Sequence, residues 1–168
     1  MKKILSYPLS FLFYLCFGIN LLVFHAAQWI ALNTLGYYTQ KRTVDILNFL
    51  IIRCLYLLGT KIRYEHRTSL PDKRPIIFVA NHQSTFDIPP LIWHLRKYHA
   101  KFVSKIELGN GIPSISFNLR HGGSVLIDRN NPKEAFQKIE EFGKKIYTKK
   151  HSVIIFPEGT RSKNGKMK

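Results

Sequence analysis

Ile76-Ile77-Phe78-Val79-Ala80-Asn81-His82-Gln83-Ser84-Thr85-Phe86-Asp87 is the stretch that decides the fold. Its first five residues are apolar without a break, the pattern of a short strand buried on both faces of a parallel sheet. The next seven turn polar at once, and a helical pattern follows over residues 88–98. Working outward, residues 100–103 and 123–127 read as further strands. Residues 132–147 form an amphipathic helix with Ala135, Ile139, Phe142 and Ile146 along one side, and residues 153–156 are another buried strand. Strands alternating with helices imply an α/β fold, an open sheet flanked by helices. In such sheets, sites gather beyond the carboxyl ends of the strands. The two densest polar clusters, residues 81–87 and 158–162, each come directly after a buried strand.

The upstream part is of another character. After Lys2 and Lys3, no Asp, Glu, Lys or Arg occurs from Ile4 through Gln40. A bilayer-spanning helix needs about 20 apolar residues. The stretch is long enough to span once, or to make two shorter helices dipping into the interface. Their turn would fall near Gly18-Ile19-Asn20 or Asn33-Thr34-Leu35-Gly36. No small-residue cleavage site follows it, which argues against a removed signal peptide. Lys41-Arg42 and the basic remainder favour a cytoplasmic body by the positive-inside rule. Residues 44–58 read as a helix whose polar face carries Asp45, Asn48 and Arg53, and residues 61–65 alternate like a weak strand. The expected division is therefore membrane-associated helices over 1–60 and a catalytic domain over 61–168. The chain stops at Lys168 soon after the last strand, so the expectation is a fold missing its C-terminal part.

Charge narrows the partners. With 26 Lys and Arg against 10 Asp and Glu, the formal charge is +16. Such an excess needs nucleic acid, anionic lipid headgroups or phosphorylated substrates. The long uncharged stretch argues against a nucleic-acid binder and for anionic membrane lipids. Cys16 and Cys54 lie in apolar surroundings without metal-ligand spacing, which points to thiols rather than a disulfide framework.

His82 and Asp87 suit a general base and its orienting carboxylate. A neutral imidazole takes a hydroxyl proton near pH 7, and the carboxylate fixes its tautomer. On a regular helix five positions rotate by about 140°, so the two meet only with His82 in the loop and Asp87 in the first helical turn. The competing role for Asp87 is a helix cap. A cap accepts from the second or third helical N–H, here Pro89 and Pro90, which have none. Ser84 or Thr85 is the better cap. Phe156-Pro157-Glu158-Gly159-Thr160-Arg161-Ser162 puts a carboxylate, a hydroxyl and a phosphate-binding type of side chain on one tight loop. A third cluster runs from Arg120-His121-Gly122-Gly123 through Ile127-Asp128-Arg129.

These residues resemble a known family. Asn81-His82-Gln83-Ser84-Thr85-Phe86-Asp87 matches the NHxSxxD motif of the glycerolipid acyltransferases, and Phe156-Pro157-Glu158-Gly159-Thr160-Arg161-Ser162 matches their FPEGTRS block. Gly123-Ser124-Val125-Leu126-Ile127-Asp128-Arg129 is similar to the block between them. The resemblance spans about residues 62–162 and is closest to the bacterial 1-acyl-sn-glycerol-3-phosphate acyltransferases. It implies that His82, paired with Asp87, deprotonates the sn-2 hydroxyl of a lysophospholipid acceptor. That hydroxyl then attacks the thioester of acyl-CoA or acyl carrier protein. It assigns Glu158, Gly159, Thr160, Arg161 and Arg129 to acceptor binding; Lys105 and Arg120, outside the matched motifs, are further candidate anion contacts by their charge. No metal or redox cofactor is implied. Another lyso-lipid acceptor is an alternative within the class. A non-catalytic basic membrane-binding protein, or an inactive fragment, is the alternative outside it.

Overall fold

The computed structural model describes residues 2–65, 67–72 and 75–162 of the chain. It opens with a long helix, α1 (Lys2–Ile30), whose last turns widen over Ala31–Leu35 before the chain reverses at Gly36. Gly36 sits at φ 83°, a conformation in which a Cβ would be strained. Helix α2 (Tyr37–Leu55) then runs back along α1. Of the two expected turn positions, the second is the one used, and α1 continues unbroken through Gly18-Ile19-Asn20. Residues 6–35 make the one helix among the described residues that is long and apolar enough to cross a membrane. Much of it faces outward, with Phe11, Tyr14, Leu22 and Trp29 all exposed.

The rest is an α/β unit in the order β1 (Ile77–Val79), α3 (Ile88–His94), β2 (Lys101–Lys105), α4 (Ile115–His121), β3 (Val125–Ile127), α5 (Pro132–Thr148) and β4 (Val153–Ile155). All pairings are parallel and the spatial order is β1-β4-β2-β3. The last strand in sequence therefore lies between the first two, where Ile154 is fully buried. The register, Val79 beside Ile155 and Lys105 beside Ile127, brings the carboxyl ends of all four strands to one edge. The two polar loops issue from the neighbouring strands β1 and β4. An open sheet flanked by helices is thus what the chain forms.

Three expectations need correction. Strand β1 is not buried on both faces, because it is an edge strand, and Ile77 and Val79 are 69% and 65% exposed. Residues 61–65 form no strand, since no neighbouring strand pairs with them. The polar side chains of α2 do not all share an outer face. Asp45 and Asn48 point inward and are buried, bonded to Lys41 Nζ and Val44 O respectively, while Arg53 stays outside.

Two apolar clusters join the N-terminal hairpin to the α/β unit. Phe13, Cys54 and Leu55 pack with Ile62 and Phe86, and Leu21, Leu47 and Ile51 pack with Ile112 and Ile115. Burying one such side chain contributes about 1.5–3 kcal/mol, so several together hold the hairpin firmly against the unit. A polar network adds to this. Gln28, fully buried, donates to Ser114 Oγ, and the Ser114 N–H donates to His25 Nδ1 at 3.1 Å. Cys16 and Cys54 are free thiols.

Candidate active site

Beyond β1 the chain turns through residues 80–84 into a single 3-10 turn over Thr85–Asp87. Ser84 caps that turn, its Oγ accepting from the Phe86 N–H at 3.2 Å. This leaves the Asp87 carboxylate free of capping work on α3, which opens with Pro89 and Pro90 and takes no side-chain cap. The carboxylate turns back instead. Asp87 Oδ2 accepts from the Gln83 and Ser84 N–H groups, each at 2.8 Å, and lies 3.1 Å from His82 Nδ1. His82 is in the loop and Asp87 in the first turn, the arrangement the five-residue spacing requires. With Nδ1 carrying the proton toward Asp87, Nε2 becomes the basic atom of the ring. The imidazole also stacks on Phe156, with ring centroids 4.4 Å apart and planes inclined by 23°.

The loop after β4 is tied to that turn. The Ser162 N–H donates to His82 O at 2.8 Å, and Arg161 Nη1 donates to Thr85 Oγ1 at 2.6 Å. Gly159 takes φ 63°, and its N–H returns to Phe156 O at 2.9 Å. The carbonyl of Gly159 accepts from Arg129, which follows β3. Three loops from three strands thus meet: His82 contacts Asp87, Arg129 contacts Gly159, and Arg161 and Ser162 tie the loop after β4 to Thr85 and His82. Glu158 is half-buried and Thr160 exposed on the same turn. Lys105 ends β2 at this edge of the sheet and is exposed.

The third cluster divides. Strand β3 separates its two ends, so only Asp128 and Arg129 reach the carboxyl edge. Gly122 and Gly123 lie at the amino end, where Gly123 passes close to Lys101 and Tyr37. Arg120 is engaged with Asn110, donating to its Oδ1 at 3.1 Å. The sequence reading did not single out Phe156 or Thr85 as partners of the polar residues, although both stand inside the quoted motifs. Among the described residues no three His, Cys, Asp or Glu side chains converge to hold a metal ion.

The Acyltransferase family model matches residues 61–168. Among curated proteins, the chain is 28% identical over 124 residues to sheep (Ovis aries) 1-acyl-sn-glycerol-3-phosphate acyltransferase alpha, covering 74% of this chain and 42% of that one. It is 32% identical over 113 residues to the coconut (Cocos nucifera) 1-acyl-sn-glycerol-3-phosphate acyltransferase, covering 67% of this chain and 35% of that one. The chain therefore spans less than half the length of these relatives. Its fold is that of the crystal structure of the 1-acyl-sn-glycerophosphate (LPA) acyltransferase PlsC from Thermotoga maritima, with a TM-score of 0.77 and 24% identity over 100% of this chain and 66% of that one. All four strands and both polar loops fall inside the matched region, and on that match the chain belongs to the acyltransferase family.

Proposed function

We propose that the protein transfers a fatty acyl group from a thioester, acyl-CoA or acyl carrier protein, to the sn-2 hydroxyl of 1-acylglycerol-3-phosphate, giving phosphatidic acid. The observation that carries this reading is the 3.1 Å contact between His82 Nδ1 and Asp87 Oδ2, at the edge where the strands end. Asp87 holds the imidazole with Nε2 directed to the acceptor, and Nε2 takes the hydroxyl proton as the oxygen attacks the thioester carbonyl. The tetrahedral intermediate collapses, the C–S bond breaks, and the departing sulfur takes the proton from the imidazolium. Arg161 and Arg129 then bind the acceptor phosphate, with Glu158, Gly159 and Thr160 shaping the loop and Lys105 adding positive charge. Arg120, bonded to Asn110 and short of the carboxyl edge, is not part of this set.

Membrane association through α1, at the inner membrane with the α/β unit in the cytoplasm, fits this role, because acceptor and product are lipids. Its support is the exposed apolar surface of that helix together with the formal charge of +16, which favours anionic lipids. The test is an assay of the purified chain with a panel of lyso-lipids and both thioester donors. Acyl transfer strongest with 1-acylglycerol-3-phosphate supports the reading. Transfer to a different lyso-lipid alone contradicts the acceptor, and hydrolysis of the thioester without transfer contradicts the reaction.

A further inference from the structure

The amino ends of the strands hold a second polar cluster, remote in the sheet register from the His82 edge. Lys101 begins β2 and is only 7% exposed. With Gln40, Lys41, Asp45 and Arg96 it lines a cavity of about 30 Å³ beside α2. Among the described residues its ammonium finds no carboxylate or carbonyl at hydrogen-bond distance, and its nearest aromatic neighbour is the Tyr37 ring at 5.2 Å. Asp45, the carboxylate of the cavity, is occupied by Lys41 at 2.5 Å. Burial and the Lys41 charge push the Lys101 ammonium down to about 8, so it is still mostly protonated at pH 7.

Gln40 is fully buried on the same wall. Its Nε2 donates to Gln28 Oε1 and Asn118 Oδ1 at 3.3 and 3.4 Å, but its Oε1 has no partner among the described residues. Among the described residues, Gln40 Oε1 is thus a buried acceptor without a partner, and the Lys101 ammonium on the same cavity is a donor without a carboxylate; a group that bridges the two must both accept and donate. A water molecule meets that requirement yet leaves three cationic side chains facing one carboxylate. An oxyanion that keeps a proton meets it and balances the charge as well. Phosphate monoesters have a second pKa of about 6 and retain a P–O–H in part of the population near neutral pH. Diesters and sulfate have none.

We propose that this cavity binds a phosphate monoester, its oxygens accepting from Lys101 and its P–O–H donating to Gln40 Oε1. The group reaches the site either as free phosphate or on a lipid. Trp29, Leu35 and Tyr38, exposed by 58%, 69% and 72% around the α1–α2 turn, give lipid chains an apolar surface close to Lys41. The inference stands independently of the role given to His82.

The test uses the full chain in neutral detergent with Trp29→Phe, leaving Trp93 as its single tryptophan. The Arg96 guanidinium lies 4.1 Å over the Trp93 ring, so occupancy of the cavity alters its emission. Inorganic phosphate and short-chain phosphatidic acid should give saturable responses. Sulfate and short-chain phosphatidylglycerol should bind at least tenfold more weakly. Lys101→Met should weaken phosphate at least tenfold, Gln40→Leu should erase its preference over sulfate, and Arg161→Ala should leave both unchanged. Phosphatidic acid binding tenfold tighter than phosphate assigns a lipid headgroup, and equal affinities assign free phosphate; either result supports the site. Sulfate or the diester matching phosphate in the unaltered cavity overturns it. So does a phosphate response indifferent to both Lys101→Met and Gln40→Leu.

Discussion

Arg161 donates to Thr85 Oγ1 at 2.6 Å, so the arginine of the loop after β4 is anchored to the turn that presents Asp87. Two residues 76 positions apart in sequence act as one structural unit, since Thr85 lies two residues before the carboxylate that orients His82.

Removing that arginine separates binding from chemistry. Hydrogen bonds to charged groups contribute about 1.5–3 kcal/mol, and 1.36 kcal/mol is tenfold. Arg161→Ala should therefore raise the acceptor KM about tenfold or more and lower kcat less. Steady-state kinetics with 1-acylglycerol-3-phosphate read this directly, and an unchanged KM with normal kcat removes Arg161 from phosphate binding.

Gly159 offers a backbone test of the same loop. At φ 63°, with an added Cβ placed 3.1 Å from Arg129 Nη1, Gly159→Ala combines strain with displacement of the guanidinium. The left-handed conformation costs roughly 1–2 kcal/mol for a residue with a Cβ. Reduced thermal stability together with weaker acceptor binding is expected. Wild-type values for both would mean that the turn relaxes freely and that Arg129 is not held by it.

Phe13 ties α1 to the dyad turn. It is fully buried, and its ring meets Phe86 edge-on at a centroid distance of 5.5 Å. Phe→Ala in a core costs about 3–5 kcal/mol. Phe13→Ala should lower the melting temperature markedly, and Phe13→Leu should restore most of the loss. A melt unaffected by Phe13→Ala would show that the hairpin is not docked on the α/β unit.

Stability should also depend on pH through His99 and His151, whose Nδ1 and Nε2 lie 3.0 Å apart. Burial, reinforced by Lys41 and Lys101 around His99 and by Lys101 and Lys149 around His151, holds both at about 4 against an ordinary 6.5. Between those values the unfolded chain binds protons that the folded chain refuses, so stability falls as pH drops from 6.5 toward 4. Urea midpoints at pH 7 and pH 5 check the sign. The pH 5 midpoint should be lower, and the gap should shrink in His99→Asn/His151→Gln. A midpoint that rises on acidification contradicts it.

Much of this was legible in the sequence because the deciding signals are local. The apolar run before Asn81, the polar clusters after two strands, and the prolines that keep Asp87 from capping α3 can each be read within a dozen residues. The capping box that Asp87 completes with Ser84 on the 3-10 turn was not read there. The spacing argument for His82 and Asp87 anticipated their placement in loop and first turn. What escaped depends on contacts distant in sequence. The edge position of β1 follows from β4 pairing on one side only, which its own residues do not encode. The inward turn of Asp45 and Asn48 depends on what packs against α2. His99 and His151, 52 positions apart, become neighbours only once β2 and β4 pair.

The measurement closest to the core of the account is acyl transfer to 1-acylglycerol-3-phosphate by His82→Ala, with membrane association followed in parallel. General base catalysis contributes about 10²–10⁴-fold. Turnover reduced by at least about a hundredfold, with membrane association intact, is the predicted result. Turnover equal to that of the unaltered chain would contradict the assignment of His82 as the base.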